Sequence, residues 1–182
     1  MKLKSKIFFL SSSFVIIVLT VNPYTLSLLP RDPVVLMVSH YTLYLAGVIA
    51  GYSLFRFSKL FIIPAVIPPI IFHLPYFFVE SGINLGWTFI DYLSMVVGGV
   101  LLGGALRKAG TFTKALLFVL YMVGDTTLAV LLILGFPVYS PPVIQFSPYT
   151  PDQLVIVSYV MFGVMNVILF VVVGYTLRKL LS

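Results

Sequence analysis

Between Val34 and Phe55 the chain reads VVLMVSHYTLYLAGVIAGYSLF, and Arg56 and Lys59 close it. No charge interrupts this run. As a helix at 1.5 Å per residue it extends about 33 Å, enough to cross the hydrocarbon core of a bilayer. Runs of the same character lie at about residues 7–21, 60–78, 87–106, 112–134 and 154–177. Six spans of about 20 residues each take up most of the chain, and too little remains for a soluble catalytic domain. Composition agrees: of 182 residues, 60% are hydrophobic and 9% charged, with a mean hydropathy of +1.14. Soluble domains carry about a quarter charged residues, so a water-soluble enzyme is excluded. The expected fold is all-α: a polytopic membrane protein forming one six-transmembrane-helix bundle over residues 1–182.

Two runs need comment. The first, after Lys2, Lys4 and Lys6, has the basic start and apolar middle of a signal peptide. Asn22, Pro23 and Tyr24 follow it in place of a small-residue cleavage site, so an uncleaved first span is expected. The third run holds Pro64, Pro68, Pro69 and Pro75. Proline withdraws a backbone donor and bends a helix. A membrane bundle tolerates this where neighbours satisfy the freed carbonyls, so this span should be bent.

Charge tests the layout. Lys2, Lys4, Lys6, Arg56, Lys59, Arg107, Lys108, Lys114, Arg178 and Lys179 all fall on one side of six alternating spans, and only Arg31 falls opposite. Basic residues in short loops mark the cytoplasmic face. Both termini are therefore expected inside, with Asp32, Glu80 and Asp152 outside. Basic loops facing anionic lipid account for the net charge of +6 without nucleic acid. The outer segment from Phe136 to Gln153 carries five prolines among aromatic residues. Its proline density denies a helix, and it should form an ordered lid on the outer surface.

There is no cysteine, which removes disulfides and thiolate metal sites. Nucleophile-elbow, His-Glu-x-x-His and phosphate-loop motifs are missing too, and no nucleophile–base pair suggests an intramembrane enzyme. What remains is a sparse set of polar groups within spans, where they are costly and functional candidates by default. His40 lies about 9 Å below the outer surface and His73 about 8 Å, counted at the helical rise. The only two histidines thus share a depth on adjacent spans. They could ligate a haem iron, open a copper site, handle a proton, or simply pack. Asp91, nearer the outer boundary on the fourth span, can snorkel to water. Asp125 lies near mid-membrane, with Tyr121 one turn earlier and Asn166 at comparable depth on the sixth span. These groups should all point inward, lining one pocket beneath the lid. Gly47 with Gly51, and Gly99 with Gly103, are small-x-x-x-small pairs that allow close helix contact, here expected within the chain.

Several segments resemble a known family: the stretch from Ser39 to Tyr52, His73-Leu-Pro75, Tyr121-Met-Val-Gly-Asp-Thr126, Phe146-Ser-Pro-Tyr149 and Met161-Phe-Gly-Val-Met-Asn166. The likeness is to an uncharacterised family of archaeal membrane proteins, chiefly from thermoacidophiles, described only as a domain of unknown function. It implies an archaeal plasma membrane and supplies no activity. His40, His73 and Pro68-Pro69 more faintly resemble the membrane-embedded assembly factors of cytochrome oxidase, although Tyr44 stands where a paired His-x-x-x-His motif needs its second histidine. Three functions are carried forward. The first is an accessory, assembly or cofactor-holding protein of a membrane redox complex, with other membrane subunits as partners. The second is a small proton-coupled carrier using Asp125 and Asn166. The third is a purely structural membrane protein.

Overall fold

The computed structural model describes residues 3–181, leaving out the side chains of Lys179 and Leu180; Lys2 lies outside the described residues. Eight α-helices follow in order: α1 Leu3–Thr20, α2 Pro23–Leu28, α3 Pro33–Leu54, α4 Ile62–Phe72, α5 Pro75–Ile83, α6 Leu85–Leu106, α7 Thr111–Ile133 and α8 Pro151–Leu181. A short 3-10 turn, Lys59–Phe61, leads into α4. No strand occurs among the described residues. Five helical segments are long and apolar enough to cross a membrane, and α4 with α5 forms a sixth, bent by 74°.

Helices α3 and α6 make the most extensive contact in the molecule, and their glycines explain why. A Cβ placed on Gly47 would strike the Val96 carbonyl and come within 2.9 Å of the Gly99 Cα. Added to Gly51 it would strike the Val100 carbonyl; on Gly99, that of Tyr44; on Gly103, that of Val48. Each backbone lies where the other's side chains would be, as the two small-x-x-x-small pairs predict. Register rises together along both helices, so α3 and α6 are parallel. The chain between them must return to its starting side, which makes α4–α5 a broken crossing rather than a re-entrant loop.

The break has a local cause. Pro75 disfavours helical geometry at the residue before it, and Leu74 is extended at φ −69°, ψ 138°. Upstream, Pro69 has no N–H to bond Ala65, and the freed Ala65 carbonyl accepts from the Tyr44 hydroxyl at 3.0 Å. The bend expected of the third span is thus a true interruption, repaired by α3.

Helix α1 runs antiparallel to α3: Ser13 Oγ donates to the Ala46 carbonyl at 2.8 Å, and the Thr20 and Thr42 hydroxyls meet at 3.1 Å. The N-terminus of α8 lies at the N-terminal end of α3, since Gln153 Nε2 donates to the Arg31 carbonyl at 2.8 Å. Lys4, Lys6, Arg56, Lys59, Arg107, Lys108 and Arg178 therefore gather at one end of the bundle. Helix α7 stands apart. It packs mainly on α8, and only Ala129 and Leu132 of its residues are buried. Helix α7 makes no extensive contact with α3 or α4, so the polar groups of the second, third, fifth and sixth spans do not converge.

Candidate functional site

The half of the bundle away from the basic end holds the polar residues. On α3, the turn carrying Met37 and His40 faces α6. His40 Nε2 meets Asp91 Oδ2 at 2.6 Å, with side-chain exposures of 2% and 0%. Asp91 therefore does not snorkel to water. The glycine seam below fixes the approach of α3 and α6 and sets Asp91 against His40, out of reach of the surface. Such a pair survives burial because each partner offsets the other's desolvation.

His73 joins them from the break between α4 and α5. Its ring meets that of His40 edge-on, with centroids 5.3 Å apart, so the shared depth read from the sequence corresponds to contact. His73 Nδ1 lies 2.5 Å from the Pro69 carbonyl. A carbonyl can only accept, so Nδ1 carries the proton. The residue is partly exposed at the helix break, yet its Nε2 is sealed and has no hydrogen-bond partner. The same holds for His40 Nδ1 and Asp91 Oδ1. Phe78 closes the group from a third side, its ring 5.9 Å from that of His40.

A second polar link lies beside the first. Tyr41 follows His40 in α3 and so points elsewhere, toward α7, where its hydroxyl donates to Asp125 Oδ2 at 2.7 Å. Tyr121 lies close to the same carboxyl, but its hydroxyl makes no bond of good geometry. Asn166 does not join this group. It is exposed on α8, and its Nδ2 donates to the Phe162 carbonyl one turn back at 2.8 Å. The reason is local: an amide in an apolar span can bond its own helix and need not turn inward. Asp125 and Asn166 therefore form no joint binding site.

The segment from Phe136 to Gln153 is more than a surface lid. It inserts two tyrosines into the bundle, Tyr139 at 0% and Tyr149 at 1% exposure. Tyr139 donates to the His73 carbonyl at 2.7 Å, which the break leaves without a helical partner. Tyr149 donates to the Leu29 carbonyl at 2.8 Å, and its hydroxyl occupies the space a side chain on Gly82 would need. Ser147 ties the lid to itself by donating to the Tyr139 carbonyl. Burial is the main cause that holds both phenols above their ordinary range, with Asp125 a lesser one at Tyr139. They stay protonated and keep donating.

The polar residues do not line one shared pocket: His40, Asp91 and His73 pack on one another, and Asn166 faces outward. Two cavities among the described residues lie elsewhere. One, of about 470 Å³, is lined by Ile17, Leu43, Phe89, Leu93 and Val96, and the other by Leu19, Thr42 and their neighbours. Neither is lined by His40, His73, Asp91 or Asp125. Haem does not fit the histidine pair either: a porphyrin would need a slot between the rings, and they stand in edge contact with centroids 5.3 Å apart.

Tyr41, Tyr44, Tyr139 and Tyr149 were not singled out by the sequence. With 11 tyrosines in the chain, only a hydroxyl placed mid-span at Tyr41 and Tyr44 hinted at a role. No curated protein and no solved structure matches the chain. Residues 11–179 match the family described as a protein of unknown function, DUF1404, and the chain belongs to that family.

Proposed function

We propose that this protein is a non-catalytic accessory or assembly protein of a membrane redox complex, and that it holds a small cofactor at His40 and His73. One observation carries this reading: two imidazoles in edge contact, each fixed by a hydrogen bond on one nitrogen and left free on the other. Metal-binding histidines are oriented in the same way, by a carboxylate or carbonyl on the far nitrogen. Asp125 and Asn166 facing different surroundings weakens the carrier alternative.

The setting we propose is an archaeal plasma membrane with both termini cytoplasmic, supported by the basic residues gathered at one end. Cysteines introduced at the exposed positions Ser27 and Ser58 test the orientation. A membrane-impermeant reagent should label Ser27→Cys in intact cells and leave Ser58→Cys untouched; the reverse pattern inverts the protein. Mild solubilisation of native membranes through an affinity tag tests the partnership. Oxidase or other electron-transfer subunits should co-purify in fixed ratio. Recovery of the chain alone, from membranes where such complexes stay intact, would refute it.

A further inference from the structure

The free nitrogens of the histidine pair define a donor set narrow enough to name what it takes. The Pro69 carbonyl fixes the His73 proton on Nδ1 and leaves a lone pair on Nε2. His40 Nε2 meets Asp91, and with the carboxylate as acceptor there the lone pair of His40 lies on Nδ1. Both nitrogens are buried without a partner, although buried polar atoms are nearly always paired. Metal–nitrogen bonds are about 2 Å, and ring centroids 5.3 Å apart lie within the span of one bridging atom.

Coordination number selects among ions. No group of three His, Cys, Asp or Glu side chains among the described residues is arranged to hold a metal. Zinc and divalent copper prefer three or four protein donors, whereas a filled-shell monovalent ion accepts two. Charge selects in the same direction. Asp91 brings one negative charge to a site 0% exposed, and the other intramembrane carboxyl, Asp125, is engaged by Tyr41. A +1 ion cancels Asp91, while a +2 ion leaves net charge inside hydrocarbon. The surroundings are soft as well. Met37 lies one turn before His40 and Met95 one turn after Asp91, on the same helix faces, and both are buried in the one core.

We infer that His40 Nδ1 and His73 Nε2 form a two-coordinate site for a single soft monovalent cation of the Cu(I) class, neutralised by Asp91. This rests on the cofactor-holding reading and narrows it. Tyr139 holds the His73 backbone in place from the lid.

The test is anaerobic titration of the full-length protein in nanodiscs with Cu(I), against a chromophoric Cu(I) chelator. One Cu(I) per chain is expected, with X-ray absorption showing two nitrogen neighbours at about 2 Å. His40→Gln and His73→Gln should each weaken binding at least tenfold, and Tyr41→Phe should leave it unchanged. Should His40→Gln fail to fold, His73→Gln and the shift of the wild-type thermal transition by Ag(I) still decide, because a ligand that binds only the folded state raises it. Failure to take up Cu(I), equal uptake by His73→Gln, or preference for Zn(II) each overturns the inference. The titration needs no partner and the co-purification reads no metal, so the two ideas fail separately.

Discussion

Helices α6 and α7 have nearly the same length and are both strongly apolar, and α7 is the more hydrophobic of the two. Yet 44% of α6's spanning window is buried within the protein against 11% for α7. Hydrophobicity thus tells which helices enter the bilayer and says nothing of which ones the bundle holds. Lipid tails are as apolar as leucine, so helix association rests on close packing and on hydrogen bonds. Helix α6 has both, in the seam of Gly98, Gly99, Gly103 and Gly104 and in the Asp91 carboxyl. Helix α7 has little of either: Gly124 faces open space, and its bond to α3 is Tyr41 to Asp125.

The first way to break this comparison is at the seam. In Gly99→Leu the side chain must displace the Tyr44 carbonyl and the α3 backbone, which cannot yield as a flexible side chain can. Overpacking commonly costs about 1–3 kcal/mol, and a backbone clash lies above that range. We expect no folded protein from Gly99→Leu, with Val97→Leu on the exposed face of the same helix indistinguishable from wild type. Recovery and thermal transition in detergent measure this. Equal behaviour of the two would mean that α3 and α6 do not meet at Gly99.

Next in size is the polar contact above the seam. Asp91→Leu leaves His40 Nε2 buried with no acceptor, and an unpaired buried group costs about 1–3 kcal/mol. Asp91→Asn keeps a hydrogen-bonding partner for the ring and should lose less. Denaturation monitored by circular dichroism ranks the variants, with wild type most stable and Asp91→Leu least. If Asp91→Leu were as stable as wild type, the pair would contribute nothing to holding α3 on α6.

How much of this was legible beforehand follows from the same physics. The α3 boundaries read as Val34–Phe55 and are Pro33–Leu54, because a membrane demands an unbroken apolar run and charges end it. The glycine pairs were legible because little else explains four small residues at that spacing. Depth counting brought His40 and His73 to one level, since the helical rise is fixed. It failed for Asp91, whose surroundings depend on how α6 rotates against α3. Rotation has no sequence signal in a helix that is apolar all round. That is also why depth alone puts Asn166 inward when it lies outward. The inserted tyrosines of the lid were illegible for a different reason: proline density forbids a helix without saying where a loop goes.

A smaller effect is expected at the α3–α7 contact. Tyr41→Phe removes the Asp125 bond and leaves the packing of α3 intact. Hydrogen bonds between membrane helices average about 0.6 kcal/mol, so the global transition should scarcely move. The consequence should be local to α7, as increased hydrogen exchange around Asp125 with α3 and α6 unchanged. Uniform loosening of all helices would show that α7 is integral to the bundle, contrary to the burial contrast.

The smallest effect is expected at Asn166, and it sharpens the comparison because the residue is polar, near mid-membrane and yet outside the core. Its amide already bonds the Phe162 carbonyl, and its side chain is exposed. Asn166→Leu removes a polar group from a lipid-facing surface and breaks no contact with another helix. Exposed substitutions of this kind usually stay within about 0.5 kcal/mol, so the isolated protein should melt at the wild-type temperature. Native membranes give the informative comparison. If the α7–α8 surface docks a partner subunit, Asn166→Leu should lower co-purification while leaving the purified chain as stable as before. A large loss of stability in the isolated chain would instead place Asn166 inside the bundle and return α8 to the orientation read from depth alone.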